Sequence, residues 1–346
     1  PVRQEWTIDF FKKWEKDADR FATWAGELYL ERHEGTLTTH GRNKWFNRRM
    51  EQGLRGLEWF SLLARDICGM PYPTERLEKI WREVLLYQFH DILPGSSIKR
   101  VYDETTQRYT ALHAEVQELT GVAVGALASK VNTAGMKKPF VLFNDLPWKR
   151  TEWVRMGETW QNVTVPSMGY CAVDSAQSQP APQAVLSAAT DCLENDLLAV
   201  RFGEDGAITS IFDKTAGREV LPAGAKANRL GVYHDLGDAW DFPMDYAESR
   251  PRYMQLLSSS AHIDGPRAVL SQEYCMGFST LSQEITLTLG SACLEFNTKA
   301  SWREIESMLR VTFPLAIHAT EATCEIQFGN IRRTTHRNTT WDMARD

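Results

Sequence analysis

"NTAGMKKP", residues 132–139, marks the point where the chain changes its periodicity, and the fold class follows from what lies on either side. Before it, from about Arg42 to Val131, apolar residues return every three or four positions, the spacing of one helix face. Phe46, Met50, Leu54, Leu57 and Phe60 form one such stripe, with Arg48, Arg49 and Arg55 on other faces. "GMPYPT" (69–74) interrupts the pattern, and Thr74 after Pro73 is placed to cap a second helix with the stripe Leu77, Ile80, Trp81, Val84 and Leu85. Pro94 and Gly95 are expected to end it. Ser96 or Ser97 would then cap a third helix carrying Val101, Tyr109, Leu112, Val116, Leu119 and Leu127. Three long helices with short links predict a small antiparallel bundle over residues 42–132.

After the link the period falls to two. Ile285, Leu287 and Leu289 alternate with Thr286 and Thr288, as in a half-buried strand. "AITSIFDKTAGREVL" (207–221) predicts a strand, a turn through Asp213–Gly217 and a second strand. Short strands separated by Gly, Pro and Asn turns, with no helical stretches between them, predict a large antiparallel β-sandwich over residues 139–346. The expected class is α+β and multidomain: a three-helix bundle followed by that sandwich. Residues 1–41 belong to neither unit.

Composition narrows the function. The chain has 346 residues, long enough for two or three domains, and 43% hydrophobic with 24% charged residues is ordinary for a globular protein. A net charge of −6 argues against a general nucleic-acid binder, which needs a basic footprint. No apolar run reaches the roughly 18 residues needed to cross a bilayer, so no membrane association is expected. Cysteines 68, 171, 192, 275, 293 and 324 are scattered without C-x-x-C spacing, which fits reduced thiols in a cytoplasmic setting. The chain starts at Pro1 without methionine and stops at "WDMARD" without a terminating signal, so truncation at both ends is expected.

Two stretches carry residues suited to chemistry. "LLYQFHDILPGSS" (85–97) puts His90 and Asp91 near the end of the second helix, just before a turn. At about 100° per residue, His90 points away from the helix stripe, toward the side of Leu86 and Glu83. It is therefore either solvated or turned toward a neighbouring domain. "GELYLERHEGTLTTHGRNK" (26–44) brings Glu27, Glu31 and Glu34 around a short apolar core. These are either surface charges or part of the carboxylate pair that glycoside hydrolysis requires. His33 and His40, seven apart, have no metal-ligand spacing. Trp148, Trp240 and Trp341 sit in turn-rich contexts where an indole either stacks on a sugar or packs against another domain.

The two stretches, in this order and separation, resemble the α-mannosidases of glycoside hydrolase family 38, closest to the cytosolic and vacuolar type. The resemblance continues through "VLFNDLPWKRTEWV" (141–154), "LENDLLAVRFGEDGAITSIFDKTAGREVL" (193–221), "DAWDFP" (238–243) and "FGNIRRTTHRNTTWDMAR" (328–345). It implies that residues 1–41 are the end of a catalytic barrel and its linker. That N-terminal barrel of the same polypeptide would carry the aspartate nucleophile and the other metal ligands. The chain would then be part of a retaining, zinc-dependent enzyme acting on terminal α-mannosides in oligosaccharides, inactive alone, with cobalt a possible substitute for zinc and a homo-oligomer a possible assembly. Carried over by motif, the resemblance makes His90 a metal ligand, Asp91 a binder of a sugar hydroxyl and Glu27 the general acid/base, with Glu31 competing for that role. The alternative is a non-catalytic carbohydrate-binding or assembly module.

Overall fold

A computed structural model describes residues 2–23, 33–177, 185–243, 245–326, 329–336 and 338. It opens with a short helix, α1 (Thr7–Trp14), none of whose side chains is buried. The bundle follows as α2 (Gly41–Cys68), α3 (Thr74–Tyr87) and α4 (Lys99–Ala128). Its core is Phe46, Met50, Leu54 and Leu57 from α2, Leu77, Ile80, Val84 and Tyr87 from α3, and Tyr109, Leu112 and Val116 from α4. Phe46 stacks flat on Tyr109 with ring centroids 5.5 Å apart. α2 ends where Gly69 turns left-handed (φ 72°) and donates its N–H to the Arg65 carbonyl at 3.0 Å.

The expected helices are present, but their ends and one stripe differ. Thr74 is not a cap; its side chain makes no capping bond, and Leu77 N–H closes the first turn on the Pro73 carbonyl. The α3 stripe is rotated from the expected one, so Tyr87 is buried while Leu85 is 59% exposed. The Trp81 indole reaches Glu58 Oε1 at 2.6 Å, which keeps that residue at the edge of the core. α3 also stops at Tyr87, seven residues before Pro94, and the chain runs through a series of turns up to Gly95. Past Tyr87 the N–H groups of Phe89, Ile92 and Gly95 reach only three residues back, to the Leu86, Phe89 and Ile92 carbonyls, so the chain tightens into turns. The Ile92, Leu93 and Pro94 carbonyls are bonded by side chains of α2 and α4, and the Asp91 carbonyl by Ser97 just beyond the turn. Ser96 and Ser97 likewise do not cap α4, whose N-cap is Ile98; both hydroxyls turn back to Asp91 instead.

Among the described residues all strand pairs are antiparallel. The main sandwich packs a five-stranded meander from Ser187 to Glu219 on a four-stranded sheet from Gln255 to Ser301. Leu193, Leu198, Val200 and Ile208 of the first meet Ala268, Leu270, Ile285 and Leu287 of the second. The strand Ser279–Thr288 is covered more fully than alternation predicts. Thr286 is also buried, its hydroxyl accepting a bond from Arg267 at 3.2 Å. The turn at 213–217 is as expected: Asp213 Oδ1 accepts the Thr215 and Ala216 N–H groups at 2.9 Å, and Gly217 has φ 63°.

A three-stranded sheet, Arg252–Tyr253, Arg229–His234 and Ser307–Thr312, flanks this pair of sheets. From the end of Arg229–His234 the chain leaves as a loop through residues 235–243, which carries "DAWDFP" back toward the bundle. The bundle and the first strand of the β region are also pinned directly. Arg55 donates to the Asp145 carbonyl at 3.0 Å, and Phe60 meets Phe143 edge-on at 5.9 Å.

Candidate functional site

The turn carrying His90 and Asp91 is built by donors from two helices around it. Lys44 of α2 donates its ammonium to the Leu93 carbonyl at 2.8 Å, to Pro94 at 3.3 Å and to Thr39. Asn43 reaches the Ile92 carbonyl at 3.4 Å. From α4, the Tyr102 hydroxyl donates to the Ile92 carbonyl at 3.0 Å and accepts the Ser97 N–H at 3.0 Å. The Ser97 hydroxyl donates to the Asp91 carbonyl at 2.6 Å. Held this way, the turn presents its two polar side chains outward. His90 is 79% exposed and Asp91 49% exposed, with His90 Nε2 and Asp91 Oδ2 3.7 Å apart. The imidazole leans on the Phe89 ring at 4.2 Å. Helical phase is not what turns His90 outward, since α3 has already ended; the turn geometry does so.

The fastening has an electrostatic signature. Half-burial of Lys44 among carbonyls pushes its amine down from the ordinary 10.5 to about 8. Burial, with the nearby Lys44 charge second, lowers the imidazole of His40. That ring lies stacked on Tyr102 at 3.8 Å.

A second segment abuts the turn. Residues 33–40 run as a strap into α2, and its Thr39 packs against Gly95. A Cβ added to Gly95 (φ 107°) would lie 2.5 Å from Thr39 Cγ2, so only glycine fits. On its other side the strap meets the 235–243 loop. Gly35 N–H donates to the Trp240 carbonyl at 2.9 Å, and Thr39 Oγ1 lies 3.0 Å from the Ala239 carbonyl and 2.7 Å from that of Gly35. Asp241 Oδ1 accepts the N–H groups of both His33 and Glu34.

Of the residues singled out in the sequence, His90 and Asp91 are together on this turn. Glu27, Glu31 and Trp341 lie outside the described residues. Trp148 is 58% exposed on a turn, its carbonyl held by the buried Asn144 at 2.7 Å. Trp240 is engaged in the strap, its indole tilted over His33 at 4.5 Å. Among the described residues no three His, Cys, Asp or Glu side chains converge to hold a metal. Sequence reasoning missed Lys44, Tyr102 and Asp241. "DAWDFP" carried a signal for the last of these, since it was one of the motifs shared with the resembled family, but no local pattern joins it to residues some 200 positions earlier.

Residues 193–346 match the family described as "Glycosyl hydrolases family 38 C-terminal domain", and residues 31–127 match "Alpha mannosidase middle domain". The chain is 35% identical to alpha-mannosidase 2C1 of Mus musculus over 97% of its own length and 34% of that protein's. The chain belongs to glycosyl hydrolase family 38. The strap, the His90 turn and the 235–243 loop of this family 38 chain thus come from both matched regions. It is also 29% identical to the alpha-mannosidase of Saccharomyces cerevisiae, over 99% of the chain and 31% of the yeast protein. Its fold is that of an alpha-mannosidase from Enterococcus faecalis V583, with a TM-score of 0.76 at 16% identity, covering 97% of this chain and 50% of that one. The chain therefore spans about a third of the length of the curated relatives it matches.

Proposed function

We propose that the chain forms the His90–Asp91 side of the active site of an α-mannosidase that hydrolyses terminal α-mannosides in oligosaccharides. The observation that carries this reading is the turn itself: two polar side chains held outward by a frame of buried and half-buried donors, in a chain of family 38. A solvated helix end would need no such frame.

His90 fits a metal ligand in one respect. Its only polar neighbour among the described residues is Asp91 at 3.7 Å, beyond hydrogen-bond reach, so a ring lone pair is open to zinc. The remaining ligands would come from the rest of the polypeptide. When bound, zinc supplies a Lewis acid and a template for sugar hydroxyls. Asp91 then orients the ring through a hydroxyl, and Glu27, or Glu31 in its place, protonates the departing oxygen and later deprotonates water. The attacking carboxylate of this retaining mechanism would be an aspartate outside the chain. A cytoplasmic setting fits the six free thiols, the cytosolic type of the resembled family and the absence, among the described residues, of any helix long and apolar enough to cross a membrane.

The test has two parts. The purified chain, free of host glycosidase, should not turn over an aryl α-mannoside; turnover would refute the division of the site. In the full-length polypeptide, His90→Ala should lose metal and activity together, and Asp91→Asn should keep the metal but raise KM. One zinc per chain at unchanged affinity in His90→Ala would refute the ligand assignment. Mannoside binding by the chain alone would favour a carbohydrate-binding module instead, a reading to which the exposed Trp148 lends its support.

A further inference from the structure

The strap at residues 33–40 is constrained at both ends in the same way. His33 (φ 71°, ψ 24°) and His40 (φ 53°, ψ 51°) are both left-handed, a conformation that residues with a Cβ avoid. Each imidazole rests on an aromatic ring from another element: His33 on Trp240 of the sandwich loop at 4.5 Å, His40 on Tyr102 of α4 at 3.8 Å. The 3-10 turn Glu34–Leu37 inside the strap receives no cap from its own N-cap side chain. Asp241 provides that cap from 208 residues away, accepting the His33 and Glu34 N–H groups that the turn leaves unpaired. Gly35 is pressed against the same loop, where a Cβ would lie 3.1 Å from the Trp240 carbonyl carbon and oxygen. Strained backbone of this kind persists only where its surroundings over-determine it, and such places cluster at functional sites.

We propose that Asp241 is a positioning residue for the reaction assigned above: it fixes the strap, and the strap fixes the His90–Asp91 turn. The relay is continuous. From Asp241 the strap runs to Thr39, whose methyl fills the space beside Gly95 and whose carbonyl shares Lys44 with Leu93 and Pro94. At His40 it stacks on Tyr102, the hydroxyl of which holds the Ile92 carbonyl. A loop of the sandwich thus sets the aim of two side chains on the bundle. The inference rests on the α-mannosidase reading and adds a dependence on the sandwich.

The experiment uses the full-length polypeptide, with Asp241→Ala and Asp241→Asn. Asparagine keeps an acceptor oxygen for the two N–H groups; alanine does not. In Asp241→Ala, hydrogen exchange of the amides at 33–39 and also of those at 92–95 should quicken about tenfold or more, with Met50–Leu57 unchanged. Zinc affinity should fall roughly 10- to 100-fold, as when a group orienting a ligand is lost. Displacement of the turn by about an ångström should cost kcat/KM on an aryl α-mannoside on the order of 100-fold. Asp241→Asn should recover to within about threefold of wild type on each measure. If alanine abolishes folding, Thr39→Val, which removes only the hydroxyl between Gly35 and Ala239, should show the same pattern at smaller size. Faster exchange at 33–39 with none at 92–95 would overturn the relay, as would equal losses in the alanine and asparagine variants. A wild type with no α-mannosidase activity would overturn the functional reading and this proposal with it. An active wild type with Asp241→Ala within threefold of it would overturn the positioning role alone.

Discussion

Replacing Lys44 by methionine isolates the bolt between α2 and the His90–Asp91 turn. The ammonium donates to the Thr39, Leu93 and Pro94 carbonyls, the last two at 2.8 and 3.3 Å. A hydrogen bond to a charged group contributes about 1.5–3 kcal/mol, and two of these three are short enough to count fully. Against them stands the cost of half-burying the charge. Lowering the amine from 10.5 to about 8 corresponds to about 3 kcal/mol, reduced to roughly 1–2 because the group still reaches water. The freed carbonyls regain some solvation, which leaves a loss on the order of 2 kcal/mol, or about 30-fold in local opening. Amide exchange of Ile92, Leu93 and Gly95 reads this directly, since their N–H groups bond within the turn at 2.8–3.2 Å. The lowered value belongs to the closed turn and 10.5 to the open one, so between pH 8 and 10.5 the open turn binds more protons. Closure of the wild type therefore strengthens as pH rises through that window. Methionine has no such gain, so the gap between the proteins, corrected for intrinsic exchange, should be flat below pH 8 and widen above it. A difference under about twofold at neutral pH, or a gap that narrows as pH rises, would refute the reasoning.

Gly95→Ala should destabilise the turn by roughly 2–4 kcal/mol, because strained φ and the clash with Thr39 act together. Gly69→Ala, at a left-handed glycine with nothing within 4 Å, should cost only about 1 kcal/mol. Calorimetry on the full-length variants compares the two, and equal costs would contradict the packing described. Glu27→Gln should nearly abolish cleavage of a mannose–mannose bond yet spare glycosylation by a dinitrophenyl mannoside, with azide restoring turnover, as loss of general acid–base help of about 10²–10⁴-fold predicts. Azide rescue in Glu31→Gln instead would move the role four residues along.

The division of the chain was legible because it depends on local periodicity. Phe46, Met50, Leu54 and Leu57 on one side of "NTAGMKKP", and Ile285 and Leu287 on the other, occupy the cores that their spacing predicts. The motif at His90–Asp91 was legible through resemblance. The end of α3 was not, because Pro94 and Gly95 are local signals and the deciding groups are distant. Tyr102 and Lys44 bond the Ile92 and Leu93 carbonyls, which a helix ending at Pro94 would leave without an intrahelical partner, and so fasten the turn instead. Likewise, Thr286 reads as a solvent-facing threonine until Arg267 from the neighbouring strand is seen above it. Asp241 lies furthest beyond local reading: "DAWDFP" is a shared motif, but nothing in either segment joins the carboxylate to the turn it caps 208 residues upstream.

That separation also orders events during synthesis. A ribosome adds about 5–20 residues per second, so the 208 residues between His33 and Asp241 take roughly 10–40 s to emerge. Over that interval the bundle can assemble from contacts within itself, while His33 has neither Trp240 beneath its ring nor a carboxylate for its amide. The strained stretch therefore settles late, as a long-range closure on helices already folded. A nascent chain carries a finished helical scaffold well before it carries an aimed His90, and the last part of this region to be translated decides when the first becomes competent.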